Sequence, residues 1–333
     1  MSRVSQSRNN KFLYYLNGHI KRLYPKKWLI KDIRRLEKSI KNFDELKLNT
    51  RLDYYYQSPT KFSLEDDYLS KYDLEYWRLS KLKDISVKHG VYSLDLMEYT
   101  RFFCQEYKLA YMFGDITKVP AIPSVTKSRP VSNNKNSILM KFDKVRHFYF
   151  VKKDIPYHKK QNKLVWRGAV HQPHRVKFMQ DYFNKSDLMN LGEFNKSGNS
   201  VNSEWLKPFM TIDEQLQYKF ILSIEGTDVA TNTKWIMSSN SLCFMPRPKF
   251  ETWFMEGTLI PDYHYVLIKD DFSDLENKIN YYIENSEEAE NIISNANSYI
   301  AEFCNPKIED WLHLKILEQY FNFSDQSMET PHK

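Results

Sequence analysis

Three cysteines stand in the 333 residues, Cys104, Cys243 and Cys304. So few and so scattered, they cannot form a disulfide framework or a four-thiolate zinc site, and they suit a reducing compartment. No run of about 18 apolar residues occurs, so no membrane-spanning helix is expected. The polar stretch Ser2 to Lys11 lacks the apolar centre of a secretory signal, and the terminal Thr-Pro-His-Lys is not a retention signal. These absences predict a cytoplasmic location. No Asp-x-Asp triplet, no Gly-x-Ser-x-Gly elbow and no phosphate-loop lysine motif appears. The last two absences argue against acyl hydrolases and kinases.

Charge is present but unevenly placed. The net charge is +7, yet residues 1–40 hold eleven Lys/Arg and two Asp/Glu, a balance of +9 that leaves −2 for the other 293 residues. Phe12, Leu13, Leu16, Ile20 and Leu23 recur at helical spacing before Pro25, and Trp28, Ile33, Leu36 and Ile40 predict a second helix. Two readings of this basic amphipathic segment stand: an ordinary packed helix with a solvated Lys/Arg face, or peripheral contact with anionic membrane. No nucleic-acid motif accompanies the charge. Tyr (23) and Phe (21) are abundant, which serves a core or a sugar or base site equally.

The two halves differ in pattern. Residues 1–110 read as mainly helical, followed by a strand over Lys108–Phe113, an irregular Pro- and Ser-rich loop over Val119–Asn134 and a short strand at Phe148–Val151. From Lys163 strands and helices alternate: strands at Leu164–Trp166, Leu188–Phe194, Phe220–Ile224, Leu242–Met245 and Tyr265–Ile268, with helices at His174–Phe183, Asp213–Tyr218, Ala230–Ser239, Asp274–Glu284, Glu287–Phe303 and Ile308–Tyr320. Such alternation predicts an α/β fold with parallel strands covered by helices on both faces. The predicted domains are 1–160, 161–305 and a helix and tail over 306–333 that packs back on the first.

In such sheets ligands bind at the carboxyl ends of strands. Trp166-Arg167-Gly168 places a guanidinium and a close-approach glycine there, and Arg175 begins the next helix, where an anion is favoured. Glu225-Gly226-Thr227 ends the next strongly apolar strand, with a carboxylate suited to sugar hydroxyls, and leads into a helix start carrying Asn232 and Lys234. His264 follows an aromatic loop and suits a phosphate or base contact. Each motif alone also fits a plain turn or a packed side chain. Glu225 and Asp228 are three residues apart on one turn, which disfavours a glycosidase pair.

The ordered set Trp166-Arg167-Gly168, Arg175, Tyr218-Lys219-Phe220, Glu225-Gly226, Lys234-Trp235, Ser238-Ser239-Asn240-Ser241, Trp253-Phe254, Leu259-Ile260-Pro261, His264-Tyr265-Val266 and Asp271-Phe272-Ser273-Asp274-Leu275 resembles family 90 of the glycosyltransferases. That family holds capsule-associated and lipopolysaccharide-modifying transferases and protein O-glucosyltransferases. The resemblance is closest to its bacterial branch. It implies a GT-B architecture of two Rossmann-like domains, a UDP-sugar donor, inversion at the anomeric carbon and a lipopolysaccharide or capsule precursor as acceptor. It implies Arg167 and Glu225-Gly226 as donor-binding residues and Asp115, after the strand ending Phe113-Gly114, as the base. Asn232 stands where eukaryotic relatives carry a second phosphate-binding Arg, a loss that Lys234 or Arg175 would offset. With no Asp-x-Asp, the enzyme is expected to need no metal. A non-catalytic sugar-nucleotide or glycan-binding protein on the same fold stays open as the alternative.

Overall fold

Phe220, Ile221 and Leu222 are all fully buried. Burial of consecutive residues needs cover on both faces of a strand, as in a parallel sheet flanked by helices. The computed structural model describes residues 11–22, 26–58, 60–64, 77–195 and 200–326. The first part of the chain forms α1 (Lys11–Arg22), α2 (Lys26–Ile40), α3 (Glu45–Tyr55), β1 (Trp77–Lys81), α4 (Val91–Thr100), β2 (Lys108–Met112), β3 (Ser124–Thr126), β4 (Ser128–Pro130), β5 (Ser137–Leu139) and α5 (Lys144–His147). Then follow β6 (Gln161–Gly168), α6 (Pro173–Tyr182), β7 (Met189–Glu193), α7 (Ile212–Gln215), β8 (Tyr218–Leu222), α8 (Thr233–Met237), β9 (Leu242–Met245), β10 (Phe250–Thr252) and β11 (Val266–Leu267). Helices α9 (Leu275–Glu284), α10 (Ser286–Ala301) and α11 (Pro306–Phe323) follow.

The chain divides into two units. Among the described residues, an amino-terminal unit comprises 11–146, 250–256 and 303–326, and a second unit comprises 147–249 and 257–302. The exchange of chain between units thus falls near 147, with a further short excursion at 250–256 that the sequence does not announce. Helix α11 belongs to the amino-terminal unit, where it packs on α2, α3 and α4.

The second unit holds a five-stranded, all-parallel sheet in the order β11-β9-β8-β6-β7. Its core joins Leu164, Trp166, Phe178, Phe220, Leu222, Phe244 and Ile279 between sheet and helices. From β6 the chain steps to β7 on one side and then to β8 on the other, so the strand order reverses between β6 and β8. A crevice opens beyond the carboxyl ends of two such strands, because their connections leave in opposite directions.

The amino-terminal unit carries a four-stranded sheet, β1-β2-β3-β5, parallel except for β1. Here several expectations are corrected. The stretch Val119–Asn134 is not an irregular loop. It contains β3 and β4, three residues each, whose Ser and Thr side chains are buried rather than exposed. Strand β1 interrupts the half expected to be helical. Phe148–Val151 form no strand, and the helix expected over Ala230–Ser239 shortens to the five residues of α8. The described parts of both amino-terminal helices, α1 and α2, form where the apolar spacing placed them.

Candidate functional site

Strand β6 ends on Arg167 and Gly168, and β8 runs into Ile224, Glu225 and Gly226. These are the two strand ends that flank the order reversal. Arg167 is half-buried. Its Nη1 donates to the carbonyls of Trp166 and Asn190, each at 2.9 Å, and its Nη2 donates to Asn190 Oδ1 at 2.8 Å. Asn190, on β7, is a positioning partner that the sequence reading missed; a polar residue within a strand otherwise bound for the core was its only signal. Arg167 Nε is buried and has no acceptor among the described residues. Burial holds the guanidinium below its ordinary pKa, with the nearby Tyr218 acting in the opposite direction.

Gly168 is required by packing. A Cβ there would lie 2.7 Å from Cζ2 of Trp166, a ring buried against Phe178. Above the same ring stands Arg175, its Cζ 5.6 Å from the centroid. Arg175 donates to three main-chain carbonyls: Glu225 through Nε at 2.9 Å, Ile224 through Nη2 at 2.6 Å and Ala169 through Nη1 at 3.0 Å. It therefore clamps the loop after β6 to the loop after β8. Burial pulls its pKa down to about 10 against the attraction of the Glu225 carboxylate. His174 also reaches the Glu225 carbonyl, 2.8 Å from Nε2.

The Glu225 carboxylate is half-buried and accepts from the backbone N–H of Lys249 at 3.0 Å. Gly226 stands beside Arg175, whose Nη2 would be 3.5 Å from an added Cβ. Thr227 is exposed and accepts from Gln172 Nε2 at 3.0 Å. Arg167, Gly168, Arg175, Glu225, Gly226 and Thr227 are thus gathered at one switch point.

Asn232, Lys234 and His264 are used otherwise. Asn232 Nδ2 donates to the Leu222 carbonyl at 2.9 Å, and its Oδ1 accepts from Ser223 at 3.1 Å, so its amide fastens the end of β8. Lys234 is fully buried, with Nζ 5.4 Å from the centre of the Phe148 ring. His264 lies before β11, two strands beyond β8, and its Nδ1 accepts from the Ile260 N–H at 2.9 Å. That bond fixes the neutral ring as the Nε2–H tautomer. Burial keeps the pKa of His264 below its ordinary value.

In the amino-terminal unit, Asp115 follows β2 after Gly114, whose φ of 112° is open to glycine and strained for other residues. Its side chain is 41% exposed, and Oδ1 is paired with Nζ of Lys127, itself buried. Among the described residues no cluster of three or more His, Cys, Asp or Glu side chains is placed to hold a metal ion. No helix among them is long and apolar enough to cross a membrane.

A strand-end anion site on a parallel sheet fits many enzymes, and comparison with known proteins narrows the choice. The sequence model of Glycosyl transferase family 90 matches residues 140–333. A curated protein of Dichelobacter nodosus named "O-glucosyltransferase LpsA" is 44% identical over 236 residues, covering 71% of this chain and 73% of that protein. The chain belongs to glycosyl transferase family 90. It is a glycosyltransferase, and such an enzyme takes a sugar donor and an acceptor. The family match begins before β6 and spans every residue gathered at the switch point, as well as the excursion at 250–256.

Proposed function

We propose that this glycosyltransferase is a metal-independent, inverting enzyme of GT-B type that moves a hexose or pentose from a UDP-sugar to a hydroxyl of a lipopolysaccharide or capsule precursor on the cytoplasmic side. The observation that carries the donor assignment is the buried Arg167 Nε–H, which has no acceptor among the described residues, at the carboxyl end of β6. A buried donor left unpaired costs about 1–3 kcal/mol, which an anionic ligand would offset. A diphosphate beside Arg167 matches both the geometry of a guanidinium and the binding rule of the switch point. The half-buried Glu225 is suited to accept from sugar or ribose hydroxyls, and Arg175 keeps the two loops at a fixed separation.

Inverting transfer is a single displacement. The acceptor oxygen attacks the anomeric carbon, the bond from that carbon to the diphosphate breaks, and the acceptor proton goes to a base. Asp115 serves as that base: one carboxylate oxygen is held by Lys127, and the side chain remains open to solvent. Positioning within hydrogen-bond reach is what general base catalysis needs. Negative charge developing on the leaving UDP is stabilised by Arg167 and by the loop that Arg175 holds.

The test is release of UDP from a panel of UDP-sugars by wild type and Arg167→Ala. UDP-glucose comes first, because the Dichelobacter relative is named an O-glucosyltransferase. Saturable release from one donor, lost in the variant, is expected. Folded protein that binds no UDP-sugar overturns the donor reading. Activity lost in EDTA and restored by a divalent cation overturns metal independence.

A further inference from the structure

Helix α1 is built inside out. Tyr14, Tyr15 and Gly18 lie on the side that meets α4. Tyr14 donates to the Asp95 carboxylate, and a Cβ on Gly18 would come within 3.2 Å of the Leu94 methyl groups. Phe12, Leu16 and Ile20 recur every four residues on the opposite side, with Leu13 beside them. Leu13 is 50% exposed, Leu16 44% and Ile20 46%, and Phe12 is 72% exposed. A helix stabilised only by packing on its neighbour would turn this stripe inward and leave its polar face to water.

The next helix supplies the charge. On α2, Lys31, Arg34, Arg35 and Lys38 are all exposed, and Lys31, Arg35 and Lys38 share a face with Trp28, which is 57% exposed. These residues belong to the +9 segment of a chain that is otherwise slightly acidic. A second copy of the chain would bring a second +9 segment with it and be repelled. An anionic lipid surface satisfies both features at once, since it accepts apolar side chains and attracts cations.

We propose that α1 and α2 form a membrane-docking surface in which the Phe12, Leu13, Leu16 and Ile20 stripe enters the boundary between headgroups and acyl chains while the α2 cations hold anionic headgroups. The inference goes beyond the donor and acceptor assignments and does not depend on them. It would bring a soluble donor and a membrane-bound acceptor to one plane.

The experiment is co-sedimentation of the full chain with vesicles of pure phosphatidylcholine and of phosphatidylcholine carrying about a third phosphatidylglycerol. The variants are L13S/L16S/I20S and K31Q/R35Q/K38Q. Every substituted side chain is solvent-exposed, and circular dichroism and urea unfolding confirm that each variant is intact. Wild type is expected to bind the anionic vesicles and to be released as salt is raised to about 0.5 M. The apolar variant is expected to lose about tenfold or more in binding, and the charge variant about fivefold per cation removed. Wild type that ignores anionic vesicles overturns the proposal, and so does undiminished binding by the apolar variant. A lipid-free dimer that the apolar variant abolishes would assign the stripe to a second copy and overturn it as well.

Discussion

Arg175 Nε donates to the main-chain carbonyl of Glu225 at 2.9 Å, across two loops that leave neighbouring strands. A guanidinium spent on three carbonyls acts first on the shape of the site. Arg175→Ala strips the carbonyls of Ala169, Ile224 and Glu225 of one partner each and is expected to lower unfolding stability by about 2 kcal/mol. Donor KM should rise as the loops separate. Urea unfolding beside steady-state kinetics reads both effects. A variant as stable as wild type would show that the clamp does not hold the loops.

Gly168→Ala is expected to act through Trp166. The added methyl would lie 2.7 Å from a buried ring, and the ring supports Arg175. Overpacking of this kind costs about 1–3 kcal/mol. The displacement should also change Trp fluorescence and weaken donor binding. Unchanged fluorescence with unchanged affinity would count against the coupling of glycine, ring and clamp.

Asp115→Asn tests base and ion pair separately. Loss of general base catalysis is expected to lower kcat by about 10²–10⁴-fold. The same change removes the carboxylate facing the buried Lys127 ammonium, at about 1–2 kcal/mol, a value reduced from that of a fully buried pair because Asp115 is partly exposed. The double variant Asp115→Asn, Lys127→Met should recover stability without recovering activity. Recovery of turnover would remove Asp115 from the reaction.

His313 predicts the acid limb of stability. Its ring is stacked between Tyr99 at 4.2 Å and Trp253 at 4.0 Å, with Nδ1 on the Glu309 carbonyl and Nε2 accepting from Lys141 N–H. Burial first, then the Lys144 ammonium, press its pKa well below the ordinary value of 6.5. The unfolded chain therefore takes up a proton near that value which the folded chain refuses. Stability from this group is full above about 6.5 and falls as pH drops below it, by up to about 1.4 kcal/mol per pH unit. Urea midpoints measured from pH 7.5 to 5 should decline in wild type and decline less in His313→Gln. Parallel slopes would assign the limb to other groups.

Much of the second unit was legible because β6, β8 and β9 are short apolar runs closed by Gly, Glu or Pro, a pattern that local physics dictates. The strand ends named Arg167, Gly168, Glu225 and Gly226 together, and the structure gathers them. What failed to show was anything settled at a distance. Strands β3 and β4 hide in a Pro- and Ser-rich stretch because three-residue strands carry too little periodicity and their serines are buried by tertiary contacts. Arg175 reads as an anion ligand because sequence gives its charge and not the carbonyls that occupy it. Lys234 reads as a free cation for the same reason, although it is wholly buried. The exposed stripe of α1 was visible as a stripe, but which way it faced was decided by Gly18 and Tyr14 against α4.

The excursion at 250–256 has a consequence for inheritance. Strand β10 pairs with β4, and Glu251 accepts from Arg129 Nε at 2.8 Å with both side chains out of water. A gene segment encoding 147–302 would carry β10 away from its partner strand and strand a carboxylate whose counter-ion lies 122 residues upstream. Recombination that swaps one unit for a relative's must therefore exchange at several points at once, or carry the Arg129–Glu251 pair with it. The two units are free to diverge in loops, but as hereditary modules they are laced together.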